Sequence, residues 1–332
     1  MSKSTKEQVL MLLIENPHGI SGNEIGQRLF LVRNSIWKAI EGLRQDGFII
    51  NGTSGRGYQI QWPGEGDILA EANIRQYLHN NSLFTFQVHS SIDSTNSHAK
   101  QLAQAGAPPF TVVVAAEQTM GRGRMGRSFL SAHDCGVYIS LILPATWPSH
   151  DTASQPTFAT AGLVTAFAAV AACRSVRQVC GLECDIKWVN DLFVGNRKIC
   201  GILTEGGGEI ESGSLSYMVV GIGINTRKTT SPPELKSIIT SVEAEIGNPP
   251  SRPQLIAALL DQFAQLESQL VTKQFMEEYR NRSNLIGRIV SVHQGNSSYL
   301  ATAVDIDDSG GLMVEVGGMR QLINSGEVSV RL

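Results

Sequence analysis

The stretch Gly121-Arg122-Gly123-Arg124-Met125-Gly126-Arg127 carries three guanidinium groups and three glycines within seven residues. Glycine lets the backbone take up conformations other residues avoid, and guanidinium forks pair with carboxylate or phosphate oxygens. Such a stretch is suited to closing over a multiply charged anion. It also matches Gly-x-Gly-x-x-Gly literally. A dinucleotide loop, however, opens a helix and is followed about 20 residues later by an acid for the ribose. Here a strand-like run, Gly136 to Leu143, comes next and no acid stands at that spacing; a Walker A pattern is also missing. A solvated basic loop is the competing reading. Further on, Lys187-Trp188-Val189-Asn190-Asp191 puts a lysine near the end of an apolar strand, just before a polar turn, where it either snorkels or meets an anion. The runs Arg197 to Glu205 and Gly221-Ile222-Gly223-Ile224-Asn225 add strands with close-approach glycines and polar ends.

Covalent and metal chemistry find less support. Cys135, Cys173, Cys180, Cys184 and Cys200 form no Cys-x-x-Cys pair, and an odd count does not suggest a disulfide framework, so a reducing cytoplasm is the expected location. Cys180 and Cys184 are four apart without a nearby His or third Cys, which favours two buried thiols over zinc. The 27 Lys and Arg against 30 Asp and Glu exclude a generally basic coat but allow a local basic face. The longest apolar run, Phe158 to Cys173, falls short of the roughly 20 residues of a bilayer span and reads as a buried helix. Val9 to Ile14 is shorter than a signal-peptide core of about 7 to 15 residues, so nothing directs export.

The elements that must position these groups fall into three segments. Val9, Leu10, Leu12 and Leu13 recur at helical spacing over 5–16, and Ser21 with Glu24 reads as a capping box opening a second helix. A third helix, about Arg33 to Gln45, buries Ile36, Ile40 and Leu43 and turns Arg33, Asn34, Lys38 and Arg44 elsewhere. A strand at 48–50, a glycine-rich turn and alternating Tyr58, Ile60 and Trp62 then read as a hairpin wing. Seven basic residues face five acids over 1–62. A helix-turn-helix with Arg33, Asn34, Ser35 and Lys38 on its reading helix and Arg56 in the wing suits DNA, a trihelical protein-interaction domain being the alternative. After a linker-like Pro63 to Asp67, strands are expected at 84–89, 111–117, 136–143, 184–189, 199–204 and 217–224, with helices near 95–105, 157–179 and 252–281. That is a mixed sheet backed by helices. From Leu285, short strands at 288–293, 298–306, 312–316 and 319–323 indicate a small all-β cap. The fold class is α+β, with domains expected at 1–63, 68–283 and 284–332.

Taken together and in order, Asp93-Ser94-Thr95-Asn96, the arginine loop at 121–127, Lys-Trp-x-Asn-Asp at 187–191 and Gly-Ile-Gly-Ile-Asn at 221–225 resemble the bacterial biotin protein ligases, in particular those that also repress the biotin operon. The resemblance spans nearly the whole chain. It implies a class II synthetase-like central domain, an SH3-like C-terminal barrel and a winged helix-turn-helix. It implies that ATP and biotin are joined as biotinyl-5'-AMP, with magnesium arriving on ATP rather than in a protein metal site. Biotin would then pass to a lysine of a biotin carboxyl carrier protein. By the same likeness, Ser94, Thr95, Asn96, Gln118, Gly121, Arg122, Gly123, Arg124, Lys187 and Gly201 would bind biotin. Arg124, Arg127, Lys187, Asn190 and Asn225 would hold the nucleotide, and Lys187 and Arg124 would be catalytic. Operator DNA and a homodimer formed with biotinyl-AMP are the further implied partners.

The implied chemistry explains the charge. Bringing two unit negative charges to 4 Å costs about 4 kcal/mol at an effective dielectric near 20, roughly a thousandfold in rate. Lys187, Arg124 and magnesium can offset this without a covalent enzyme intermediate. Val189 stands where the family usually has proline, Phe129 where tryptophan is expected, and Met125 where another arginine is common. Val32 replaces the usual Ser or Thr cap of the reading helix, a loss of about 1 kcal/mol. A lipoate or octanoate ligase is the neighbouring alternative, but Gly206-Gly207-Gly208 is not followed by the His-Asp expected there. A biotin-sensing repressor without ligase activity is another, against which the retained Lys187, Arg122 and Arg124 argue.

Overall fold

The computed structural model describes residues 4–45, 48–53, 57–60, 67–144, 158–209, 214–229, 235, 237–294, 297–324 and 327–330. The chain divides into two compact units, 1–77 with 251–253, and 78–250 with 254–332.

The first unit is a winged helix-turn-helix. Its helices are α1 (Thr5–Glu15), α2 (Gly22–Leu29) and α3 (Arg33–Gln45), followed by the antiparallel hairpin β1 (Ile50–Thr53) and β2 (Gly57–Ile60) and the short α4 (Glu71–Arg75). The apolar stripes Val9, Leu10 and Leu13, Ile25, and Ile36, Ile40 and Leu43 close one core with Phe48 and Ile60. The reciprocal capping box lies at Ser4 and Glu7 rather than at Ser21. Ser21 does accept from Glu24 N, but the Glu24 carboxylate turns to Arg28. Two glycines are required by close approach: a Cβ on Gly26 would stand 2.8 Å from Leu31 O, and one on Gly57 2.2 Å from Ile20 O. Arg44 is spent on the wing, donating through Nε and a terminal nitrogen to Ile50 O. Arg56, Trp62 and most of the expected linker lie outside the described residues.

The second unit holds a seven-stranded mixed sheet. In chain order its strands are β3 (Thr85–His89), β4 (Thr111–Ala115), β5 (Gly136–Leu143), β6 (Asp185–Lys187), β7 (Asp191–Val194), β8 (Arg197–Glu209) and β9 (Ser214–Asn225). Across the sheet they run β3-β4-β5-β9-β8-β7-β6, and only β3 and β4 pair in parallel. Helix α5 (Thr95–Gln104) packs on β4, β5 and β9 through Ala99, Val113, Ile142 and Val219. Helix α6 (Phe158–Cys180) lies against β8 and β9. Thr204 of β8 meets Thr165 of α6, while the next residue, Glu205, meets Lys100 of α5. Adjacent strand residues point to opposite faces, so the two helices cover opposite faces of the sheet. The window Ala161–Cys180 is apolar and long enough for a membrane span by composition, but 67% of it is buried inside the fold. Phe167 of α6, for instance, is edge-on to Phe263 and Phe275.

The helical stretch expected over 252–281 is three helices, α8 (Arg252–Phe263), α9 (Leu266–Thr272) and α10 (Phe275–Asn281), after a short α7 (Val242–Ile246). Lys273 in the left-handed region breaks the run, a change that apolar spacing alone does not register. The C-terminal strands β10 (Ile289–Gln294), β11 (Ser297–Ile306), β12 (Leu312–Val316), β13 (Met319–Ile323) and β14 (Glu327–Val330) form a five-stranded antiparallel sheet in the order β13-β12-β11-β10-β14.

Candidate active site

The arginine stretch is not a slack loop. Gly123 N donates to Arg127 O (2.7 Å) and Phe129 N to Gly121 O (2.9 Å), folding it into a small hairpin whose tip, 124–126, is a 3-10 turn. Met125 and Gly126 both have positive φ there, 54° and 74°. The glycines therefore shape a turn as well as loosening a chain.

The hairpin overhangs an open cavity of about 190 Å³. Its floor comes from the neighbouring strands β8 and β9, where Gly201 stands opposite Gly223 and Leu203 opposite Gly221. These glycines are required sterically. A Cβ on Gly221 would lie 2.1 Å from Asn96 Oδ1, and one on Gly223 2.6 Å from the Phe129 ring. Walls are supplied by Ser94, Thr95 and Asn96 at the start of α5, by Gln118, and by Lys187, Trp188 and Asn190 at the β6–β7 turn. Val328 of β14 also reaches the cavity. Arg122, Arg124, Arg127, Lys187 and Lys198 face it against one lining carboxylate, Asp191, which pairs with Lys198 at 2.7 Å. The lining is therefore strongly cationic, five basic side chains to one carboxylate.

Their seating is specific. Arg124 donates to Asn190 Oδ1 (3.2 Å), joining the arginine hairpin to the lysine turn. Lys187 Nζ lies 5.5 Å from the centre of the Phe193 ring, a cation–π distance. Arg122 stands 3.5 Å from Glu205, which also accepts from Lys100 (2.7 Å) and Asn96 (2.9 Å). Burial alone would raise the Glu205 pKa. The bonds from Lys100 and Asn96, with Arg122 nearby, outweigh it and hold the carboxyl below its ordinary value.

The uncharged wall is equally connected. Gln118 Oε1 accepts from Thr95 N (2.9 Å) and Oγ1 (3.0 Å), and its amide donates to Ser131 (2.8 Å). Ser140 Oγ lies 2.8 Å from Thr95 Oγ1 and 2.6 Å from Asn96 Oδ1. The turn itself is held from behind: Tyr279 donates to Val189 O (2.9 Å) and Trp188 Nε1 to Gly310 O (2.9 Å). Its Trp188–Val189 peptide bond is cis.

Of the expected site residues, Ser94, Thr95, Asn96, Gln118, Arg122, Gly123, Arg124, Arg127, Lys187, Asn190 and Gly201 line this one cavity. Two do not. Gly121 is buried behind the hairpin, where a Cβ would meet Phe129 O at 2.3 Å, so its part is steric. Asn225 ends β9 outside the lining and donates its amide to Thr240 O (3.0 Å). Sequence reasoning missed Ser140, Glu205, Tyr279 and Val328. Ser140 had a signal, a small hydroxyl in the otherwise apolar strand β5, and Glu205 had one as the carboxylate closing the apolar run Ile199 to Leu203 and Thr204. Burial pushes the thiols up, Cys180 to about 11 and Cys184 to about 12, and Cys200 is raised on the same ground, which disqualifies them as nucleophiles at neutral pH. Cys180 is half-buried rather than buried.

Three segments of the chain match known families, one in the first unit and two in the second. Residues 88–225 match the biotin/lipoate A/B protein ligase family, 5–59 a helix-turn-helix domain, and 285–331 the biotin protein ligase C-terminal domain. A bifunctional ligase/repressor of Bacillus subtilis is 32% identical over 94% of this chain and 94% of its own. The chain belongs to the bifunctional biotin ligase/repressor family. The Escherichia coli member is 28% identical over 100% of this chain and 99% of its own. In fold, the second unit's architecture is that of a biotin protein ligase from Aquifex aeolicus solved with biotin and ATP: TM-score 0.62, 23% identity, covering 74% of this chain and 98% of that one.

Proposed function

We propose that this protein joins biotin to ATP and then transfers biotin to a lysine of a biotin carboxyl carrier protein. The observation that carries this reading is the convergence of the arginine hairpin and the lysine turn on one glycine-floored cavity, with Arg124 bonded to Asn190. In the first step a carboxylate oxygen of biotin attacks the α-phosphorus. A carboxyl–phosphate bond forms, the α–β bridge breaks, and pyrophosphate leaves with the electron pair. Lys187 and Arg124 stabilise the charge gathered at phosphorus, and Arg127 and Asn190 hold the nucleotide. Ser94, Thr95, Asn96, Gln118 and the backbone of Gly123 and Gly201 orient biotin, with Arg122 above it. In the second step the acceptor lysine, as free amine, attacks the acyl carbon; an amide forms, AMP leaves and the amine gives up a proton. The arginine hairpin shields the mixed anhydride from water.

Among the described residues no group of three His, Cys, Asp or Glu could hold a metal ion. Magnesium would arrive on the phosphates of ATP and supply further positive charge there. The N-terminal unit binds operator DNA, so the protein also represses biotin synthesis genes. Functional domains are placed at 1–63, 68–283 and 284–332, in the cytoplasm. Biotinyl-AMP lowers the entropic cost of homodimerisation by ordering surface loops, and the dimer spans two half-sites. Mass spectrometry of a biotin carboxyl carrier domain incubated with the protein, ATP and biotin tests the ligase reading. One added biotin on a lysine is expected, and its loss with Lys187→Ala; an unmodified acceptor would reject it. Sedimentation with and without biotin and ATP tests the dimer, and an unchanged monomer would reject the coupling while leaving the ligase intact.

A further inference from the structure

Among the described residues of the N-terminal unit four large apolar side chains are exposed, Phe30, Val32, Trp37 and Ile49. The first three fall within eight positions around the start of α3, with exposures of 95%, 69% and 52%. The fold does not ask for them. The buried stripe of α3 is complete with Ile36, Ile40 and Leu43. Phe30 has a φ of 56°, in the region that favours glycine, and its backbone N–H caps α2 by donating to Gly26 O, which any residue would do. Val32 sits where a hydroxyl would cap α3 and leaves that bond unmade.

The chemistry around this cluster selects the partner. By helical spacing Asn34 and Lys38 lie opposite Ile36, Ile40 and Leu43, Trp37 lies on the flank, and Arg33 opens the helix one turn before Trp37. Arg33 and Lys38, both exposed, form no ion pair among the described residues, whereas Glu41 is paired with Arg44 at 2.6 Å. An apolar protein surface covering Phe30 and Trp37 would strand both cations away from water. A major groove offers them phosphates, and the 5-methyl of thymine is the apolar group it presents.

We propose that Phe30, Val32 and Trp37 read thymine 5-methyl groups, so that part of the operator sequence is specified by apolar contact at the start of the reading helix. This rests on the repressor reading above.

The test selects duplexes from a random library with the full chain, biotin, ATP and magnesium. Each thymine of the selected duplex is then replaced in turn by deoxyuridine, which removes only the methyl. At fixed salt, at least two such replacements per half-site are expected to weaken binding about fourfold each. In Phe30→Gly and Trp37→Ala those penalties are expected to shrink to within twofold, while biotin transfer to the carrier domain shows that both variants are folded. Uracil duplexes bound as tightly as thymine duplexes would overturn the proposal. So would variants that keep the methyl penalty but lose dimer on sedimentation, which would assign the cluster to a second copy of the chain. Wild-type protein that binds no duplex at all would instead overturn the repressor reading, and this proposal with it. Arg33→Ala keeps the two failures apart: weakening on every duplex alike, with a shallower salt dependence, upholds DNA binding whatever uracil does.

Discussion

The ligase cavity and the reading helix both present cations to an anionic partner, and they hold them in opposite ways. In the cavity Arg124 is bonded to Asn190, Arg122 faces Glu205, Lys187 lies over Phe193 and Lys198 is paired with Asp191. On α3, Arg33 and Lys38 stand exposed with no ion-pair partner among the described residues. The difference follows from what each region must do. Stabilising charge that exists only in a transition state requires donors fixed before the reaction, because reorganising them would consume the gain. Binding DNA draws on phosphate neutralisation and counterion release, to which mobile side chains contribute nearly as well as fixed ones. On the proposed roles, a catalytic cation is embedded in a network and a DNA-contacting one is left to search.

The largest effect that separates the two is expected from Lys187→Ala. Losing about 4 kcal/mol of charge stabilisation predicts a fall of roughly a thousandfold in adenylate formation, measured as pyrophosphate release. Arg33→Ala predicts a loss of only about one unit in the salt slope of DNA binding. A Lys187→Ala enzyme within tenfold of wild type would remove the contrast. Next in size are the floor glycines. Gly221→Ala must displace Asn96, because the new methyl would lie 2.1 Å from Oδ1. A cost of about 1–3 kcal/mol in stability is expected, with weakened biotin binding, measured by calorimetry and titration. Gly42, in the last turn of α3, meets only Cδ of the flexible Lys6 side chain at 3.2 Å. There Gly42→Ala is expected to stabilise by up to about 1 kcal/mol through helix propensity. Equal signs at the two glycines would mean that the floor is less tightly built than the distances indicate.

The same contrast governs what could be read from the sequence. The helix-turn-helix was legible because its determinants are local: apolar stripes at helical spacing, a capping serine and a turn. So were the arginine stretch and the lysine turn, as unusual concentrations of charge and glycine. The seating of those charges was not, because it depends on pairs far apart in the chain: Thr95 with Gln118, Asn96 and Lys100 with Glu205, Trp188 with Gly310. Periodicity carries no information about such partners. It also missed β7 and β14, each four residues long, too short to show an alternation. Asn225 was expected at the nucleotide through a motif match alone; its amide donates to Thr240 O.

A middle range of effects tests the supports behind the lysine turn. Tyr279→Phe keeps the ring and Trp188→Phe keeps a smaller aromatic ring, but each leaves the Val189 or Gly310 carbonyl without its donor. An unsatisfied buried carbonyl costs about 1–3 kcal/mol. Adenylation slower by about tenfold, with the KM for biotin little changed, is the expected signature of a displaced Lys187. A change in thermal stability alone would make these contacts structural. In the other unit, Val32→Ser is expected to add about 1 kcal/mol to the stability of α3 by restoring a cap, read by hydrogen exchange of its first-turn amides. If the apolar cluster reads methyl groups, the same variant gains stability and loses operator affinity together, a trade with no counterpart in the cavity.

The smallest expected effect concerns Glu205, which anchors Arg122 and Lys100. Its carboxyl is held below the ordinary value of 4.5, so folding favours the ionised form. A depressed folded pKa gives stability that is fully present above the unfolded pKa and lost as pH falls through the folded one. Wild-type protein should therefore lose stability on acidification below about pH 4.5, and Glu205→Gln should lose less over the same window because it has no proton to take up there. Near neutral pH wild type is the more stable: glutamine can still accept from Asn96, but it leaves Lys100 and Arg122 without the Glu205 charge. Thermal melts of the two proteins across that range should converge as the pH falls. Parallel curves would mean that water, rather than Glu205, balances the arginine hairpin, and that this corner of the cavity behaves like the open face of α3.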